Sequence, residues 1–263
     1  MSNKVDSFGT SYFFKKINEK EPIIFIHGVG LAKEIWDPQV NFFKDYNTVT
    51  YDLLGHGETP LKKTTVSFED FNEQLLKLIN ELNFNKFHLI GFSLGALIAR
   101  HFAAENSNRL KSLIIHGSIY KRNEDQIRIV KNRLETSKAN KPASKQAALR
   151  RWFSQDFIKK NPDVYKKIYS ILEKNNRNDF LKCYELFVNY IDNDSVFKKI
   201  NVRTLISTGE NDSGSTPEMS KNLSKMIPNS KFVEIKGGKH LCSIECSNDV
   251  NILLKKFIEK DND

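Results

Sequence analysis

The chain has 263 residues, and its 39% hydrophobic and 11% aromatic content suffices for one sizeable core. Its 41 Lys+Arg exceed its 32 Asp+Glu for a formal net charge of +9, and it holds three cysteines. No apolar run approaches the roughly 20 residues of a membrane span, Met1-Ser2-Asn3-Lys4-Val5-Asp6 lacks a signal-peptide pattern, and an odd cysteine count disfavours a disulfide framework. The expectation is a cytoplasmic protein with no membrane partner.

In chain order, a β-rich stretch at 8–18 precedes a buried strand at 22–27, which runs into the loop His27-Gly28-Val29-Gly30. Gly28-Val29-Gly30 also resembles the start of a dinucleotide-binding fingerprint, with Asp52 as the ribose acid. The third glycine of that pattern would fall at Lys33, so the fingerprint fails. A strand at 47–52 and a helix at about 68–83 follow. The apolar strand at 87–91 then meets Gly91-Phe92-Ser93-Leu94-Gly95, and a helix rich in Ala and Leu begins at once and runs to about Asn106. Leu94, Leu97, Ile98 and Phe102 recur at helical spacing and are expected in the core. A strand at 111–116 closes this half.

From about 119 to 195 the pattern changes to charged helical segments without a strand run, and strands resume at 202–208 and 231–235. Alternating strands and helices predict an α/β fold with a mainly parallel sheet covered on both faces. The predicted division is a core formed by 1–118 and 196–263, with 119–195 as an inserted helical lid. That lid holds 17 Lys+Arg against 10 Asp+Glu, most of the net charge of the chain. No RNA-binding aromatic motif accompanies the charge, so a nucleic-acid partner is not expected. Solvated helix faces explain it most simply, while a cationic lid that attracts an anionic substrate is the functional reading.

Gly-x-Ser-x-Gly between a strand and a helix has the context of a nucleophile elbow, where a cramped turn lifts the serine hydroxyl above the sheet. A serine needs a base, and only His101, His116 and His240 lie downstream of Ser93. Arg100 and His101 look like ordinary polar positions on the elbow helix. His116 ends an apolar strand and is a candidate pocket-lining residue. His240 follows a strand through the flexible Gly237-Gly238-Lys239 loop and is the leading base. The acid comes from Thr208-Gly209-Glu210-Asn211-Asp212, where Asp212 is preferred because Glu210 directly follows the glycine and lies nearer the strand end. The N–H groups of Val29 and Leu94 are placed to form an oxyanion hole. Cys242 and Cys246 flank the loop after His240. No second Cys/His pair of zinc spacing lies nearby, so buried thiols are expected and no metal.

The segments His27-Gly28-Val29-Gly30, Tyr51-Asp52-Leu53-Leu54-Gly55-His56-Gly57, the Gly91–Gly95 elbow, Thr208–Asp212 and Gly238-Lys239-His240 together resemble the α/β-hydrolase superfamily. Trp36-Asp37-Pro38-Gln39 and Arg151-Trp152-Phe153 are similar to the branch of 3-oxoadipate enol-lactonases and small carboxylesterases. The resemblance implies nucleophile Ser93, acid Asp212, base His240, and oxyanion donors Val29 and Leu94. It implies a small-molecule ester or lactone substrate and no cofactor, with Trp36, His116, Arg151, Trp152 and Phe153 as substrate-pocket candidates. Dehalogenase and epoxide-hydrolase branches carry an aspartate where this chain has Ser93. Carbon–carbon hydrolases often carry a second glycine where it has Ala96. A carbon–carbon hydrolase acting on a diketone and a low-turnover ligand receptor are the alternatives, since both would keep Ser93, Asp212 and His240.

Overall fold

The computed structural model describes residues 3–139 and 142–262. Eight strands form one sheet: β1 (Lys4–Val5), β2 (Ser11–Lys15), β3 (Ile23–Ile26), β4 (Thr48–Tyr51), β5 (Phe87–Phe92), β6 (Leu110–His116), β7 (Thr204–Gly209) and β8 (Ser230–Ile235). Their spatial order is β1-β2-β4-β3-β5-β6-β7-β8. β1 and β2 pair antiparallel, and β2 pairs antiparallel with β4. Every other pairing is parallel. The stretch expected at 8–18 thus shortens to β2, and β1 lies ahead of it, with Gly9 at φ 93° in the turn between the two strands.

The central strands read as unbroken apolar runs because both faces are covered. Ile23–Ile26 and Phe87–Phe92 are buried along their whole lengths. One core packs the elbow helix Leu94–Asn106 and the helix Phe68–Glu81 on one face, through residues such as Leu97, Phe102, Phe71 and Leu75. The other face is covered by Trp36, Phe43, Val250 and Leu254 from short and C-terminal helices. Ser67 starts Phe68–Glu81 with a reciprocal capping box to Asp70.

Between β6 and β7 the chain leaves the sheet for the helices Glu124–Lys138, Pro142–Trp152, Gln155–Lys160, Pro162–Lys174 and Arg177–Val188, then Asp194–Phe197. The mainly parallel sheet, with helices on both faces and a helical interruption, is the architecture expected from the sequence. Helices Asp37–Phe42, Pro217–Ser224 and Ser247–Ile258 were not anticipated. Among the described residues no helix is long and apolar enough to cross a membrane.

Candidate active site

The loops after β3, β5, β7 and β8 all leave the carboxyl ends of parallel strands, where open α/β sheets place their ligands. Ser93 lies between β5 and its helix with φ 55° and ψ −112°, a strained conformation for a residue with a Cβ. The turn is so tight that a Cβ on Gly91 would fall 2.2 Å from the Gly95 carbonyl oxygen. A Cβ on Gly95 would meet the His27 and Ile26 carbonyl oxygens at 2.5 Å, so both motif glycines are sterically required. The Ser93 amide donates to the His116 carbonyl at 3.0 Å, which pins the turn to β6.

Ser93 Oγ is 3.3 Å from His240 Nε2, and His240 Nδ1 is 2.6 Å from Asp212 Oδ2. The other Asp212 oxygen accepts from the amides of Gly214 and Ser215 at 2.8 and 2.9 Å. Burial opposes the charge on Asp212, but His240 and these amides outweigh it and hold the carboxyl below its usual range. A carboxylate at Nδ1 makes that nitrogen the donor and leaves Nε2 to accept from the serine hydroxyl. Such a line can take a proton from a hydroxyl as it attacks and return it to a leaving group. Glu210, the other acid of that loop, turns away and accepts from the Gly237 amide at 2.8 Å.

Leu94 is the first residue of its helix, so its N–H has no intrahelical acceptor. The Gly28-Val29 loop runs beside it, and a Cβ on Gly28 would lie 3.1 Å from Ser93 Cβ. His27 fixes this loop from behind. Its Nδ1 bonds the Gly28 carbonyl at 2.8 Å, and its Nε2 accepts from the Leu53 amide at 3.0 Å. Ser93, Val29 and His240 face a cavity of about 680 Å³ between the sheet end and the helical insertion.

A sequence model of the family described as alpha/beta hydrolase fold matches residues 21–245. The chain belongs to that family. Over 255 residues it is 27% identical to (E)-2-((N-methylformamido)methylene)succinate hydrolase of Acinetobacter baylyi, covering 95% of this chain and 94% of the relative. It is 28% identical to 3-oxoadipate enol-lactonase 1 of the same organism over 226 residues, 85% of this chain and 83% of that one. The enol-lactonase structure from Burkholderia xenovorans LB400 superposes with a TM-score of 0.86 at 21% identity, covering 95% and 96% of the two chains.

The pocket of this α/β hydrolase differs from the expected one. Trp152 and Arg151 line it, and the Trp152 ring stands 6.4 Å from the His240 ring. Phe153 does not line it. That side chain is 1% exposed and stacks on Phe157 at 5.1 Å, because consecutive helix residues point about 100° apart. Trp36 also lies outside the pocket, buried against Phe25 and Phe92. His116 is core as well, bonded to Ser207 Oγ at 2.9 Å and Cys242 Sγ at 3.4 Å, and burial lowers its pKa to about 4. His101 is not an ordinary polar position either, since its ring stacks on Phe68 at 4.6 Å. Arg100 is fully buried, bonded to Asp192 at 3.2 Å and to the Ile119 carbonyl at 3.1 Å.

Sequence reading missed the clamp on the histidine loop. The Trp152 carbonyl accepts from the Leu241 amide at 3.0 Å. Glu245 accepts from the Ser154 and Lys239 amides at 2.9 and 3.3 Å. The only available signal was a glutamate five residues after His240. Cys183 and Cys242 are buried, Cys246 is partly so, and all three are free. Among the described residues no three His, Cys, Asp or Glu side chains converge as metal ligands.

Proposed function

We propose that this α/β hydrolase cleaves a carboxylic ester or lactone through an acyl-enzyme on Ser93. His240 Nε2 takes the Ser93 proton as Oγ bonds to the carbonyl carbon, and the carbonyl π electrons move onto its oxygen. The amides of Val29 and Leu94 donate to that oxyanion. The C–O bond to the leaving group then breaks, and His240 returns the proton to the departing alkoxide. In a lactone that alkoxide stays tethered. Water, deprotonated by the same imidazole, attacks the acyl carbon and releases the acid and the Ser93 hydroxyl. Asp212 fixes the imidazole tautomer and stabilises the imidazolium throughout.

The observation that carries this reading is the Asp212–His240–Ser93 line, at 2.6 and 3.3 Å, opening on the cavity. The relatives named as enol-lactonases support ester or lactone cleavage. In this reading 119–195 forms a lid, and 1–118 with 196–263 forms the catalytic core beneath it.

A serine-directed fluorophosphonate tests the assignment. Wild type should gain one covalent adduct by mass spectrometry, on the peptide that contains Ser93, and hydrolysis of aryl esters should stop with it. Ser93→Ala should neither label nor turn over. Labelling that persists in Ser93→Ala overturns the assignment.

A further inference from the structure

The loop that carries Val29 is a tight turn. The Leu31 amide donates to the Gly28 carbonyl at 3.2 Å, and Gly30 stands at φ 75°, the position at which a type II turn needs a positive φ. The His27 ring donates to the same Gly28 carbonyl at 2.8 Å. Because a peptide unit is planar and trans, the Val29 N–H points away from those two donors. The Gly30–Leu31 peptide spends its N–H inside the turn, so by the same geometry its carbonyl points outward. Asn175 Nδ2 meets that carbonyl at 2.7 Å.

Asn175 comes from the helical insertion, where it caps the end of Pro162–Lys174, 145 positions along the chain from Gly30. Its amide nitrogen also donates to the Ile171 carbonyl of that helix at 3.1 Å, and its Oδ1 accepts from the Gly57 amide, on the loop after β4, at 3.2 Å. One side chain thereby joins the insertion to the loops after β3 and β4. The contact lies in a packed seam. A Cβ on Gly30 would fall 3.1 Å from Leu172 and from Phe180, and a Cβ on Gly55 would fall 3.1 Å from Asp179 and from Cys183. Asn175 also lines the cavity together with Val29, so the seam reaches the reacting end. His27 anchors the first peptide of the turn and Asn175 the third. Without Asn175 the turn is held from one side only, and a donor to a developing oxyanion is worth most when its aim is fixed beforehand.

We propose that Asn175 is a positioning residue for the oxyanion hole: by holding the Gly30 carbonyl it sets the Val29 N–H, so the insertion completes the catalytic machinery as well as covering it. What the Val29 amide does rests on the serine-hydrolase reading, whereas the hold on the turn rests on the hydrogen bonds of Asn175.

The test uses Asn175→Asp and Asn175→Ala. Aspartate keeps the size and the acceptor for the Gly57 amide, but as a carboxylate it cannot donate to Gly30. Kinetics on an aryl acetate are paired with inhibition by an aryl trifluoromethyl ketone, which Ser93 Oγ attacks to leave an oxyanion. Both variants should lower kcat about 10- to 100-fold with KM little changed, and should weaken the ketone by a similar factor. The inhibition constant does not depend on how much of a sample is folded, so it separates aim from stability. A fall in kcat with an unchanged inhibition constant, or an Asn175→Asp enzyme that behaves as wild type, overturns the proposal. The amide signals of the turn are the independent probe. In isotope-labelled Ser93→Ala protein, adding Asn175→Asp should move the Val29 and Leu31 amide resonances, and unmoved resonances overturn the hold on the turn. Were Ser93→Ala to keep its turnover, the serine reading would fail and the Val29 resonance would still decide the role of Asn175.

Discussion

Lys33 and Asp52 form a buried ion pair, with Lys33 Nζ 2.8 Å from Asp52 Oδ2. Asp52 also accepts from the Lys33 amide at 2.8 Å and the Glu58 amide at 3.0 Å. The pair thereby ties the segment after β3, which carries Gly28 and Val29, to the loop after β4. Burial works against the ammonium charge of Lys33, but Asp52 outweighs it and holds its pKa above the usual value. Asp52→Asn would leave that charge to Glu34 and Glu58, whose side chains are 33% and 62% exposed. Removing one partner of a buried pair costs about 3–5 kcal/mol. We expect a loss of that size in urea denaturation. A loss below about 1 kcal/mol would show that the two glutamates suffice.

The same pair marks the boundary of what the sequence disclosed. Lys33 was visible as the residue that breaks a nucleotide-binding pattern, and Asp52 as a lone acid after a strand. That they serve each other depends on β3 and β4 lying side by side in register, which no local pattern encodes. Ser93, Asp212 and His240 were legible because each lies on the short segment that follows a strand, and a parallel sheet collects strand ends on one edge. Pocket walls were not. Trp36, His116 and Phe153 carry suitable chemistry, but a rotation of about 100° between helix neighbours, or one layer of packing, decides between lining and core. Arg133 and Tyr184 line the cavity but lay unseen among charged helices, because inward and outward residues look alike in a basic segment.

Acid should destabilise the fold before it reaches the carboxylates. Burial pushes the pKa of His27 down to about 4, His56 to about 3 and His116 to about 4. The unfolded chain takes up these protons near pH 6.5, whereas the folded one does not, so protonation favours unfolding. The stabilisation is therefore complete above pH 6.5 and is lost progressively as pH falls towards 4 and below. Between pH 7.5 and 5.0 the loss is about 2 kcal/mol for each of the three, less any coupling between neighbouring rings. Urea titrations at the two pH values measure it. A total change under about 1 kcal/mol would show that the rings accept protons in place.

Asp212→Asn isolates the role of the carboxylate. The amide keeps the shape and can still accept from the Gly214 and Ser215 amides, so thermal stability should change little. It can also present an N–H to His240 Nδ1, which selects the wrong tautomer and turns an N–H towards Ser93. In serine proteases with a Ser-His-Asp triad this substitution lowers kcat about 10⁴-fold, and a comparable fall is expected here. Near-full activity would place the acid elsewhere.

Trp152 and Phe153 are adjacent in sequence but should respond to substitution in opposite ways. Trp152 lines the cavity and faces His240, whereas Phe153 is sealed against Phe157 beneath its helix. Phe153→Ala opens a void in packed core, where loss of a buried phenylalanine costs about 3–5 kcal/mol. It should lower the melting temperature and scale activity on all esters by the same factor. Trp152→Ala removes a partly exposed ring whose carbonyl, not its side chain, holds the Leu241 amide, so the histidine loop keeps its anchor. Its effect should fall on selectivity. Across a series of aryl esters with acyl chains of increasing length, kcat/KM should change unequally while the melting temperature moves by only a few degrees. The comparison needs both variants. If Trp152→Ala lowers stability as much as Phe153→Ala and leaves the acyl-chain profile parallel to wild type, the indole serves to dock the helix and does not shape the pocket.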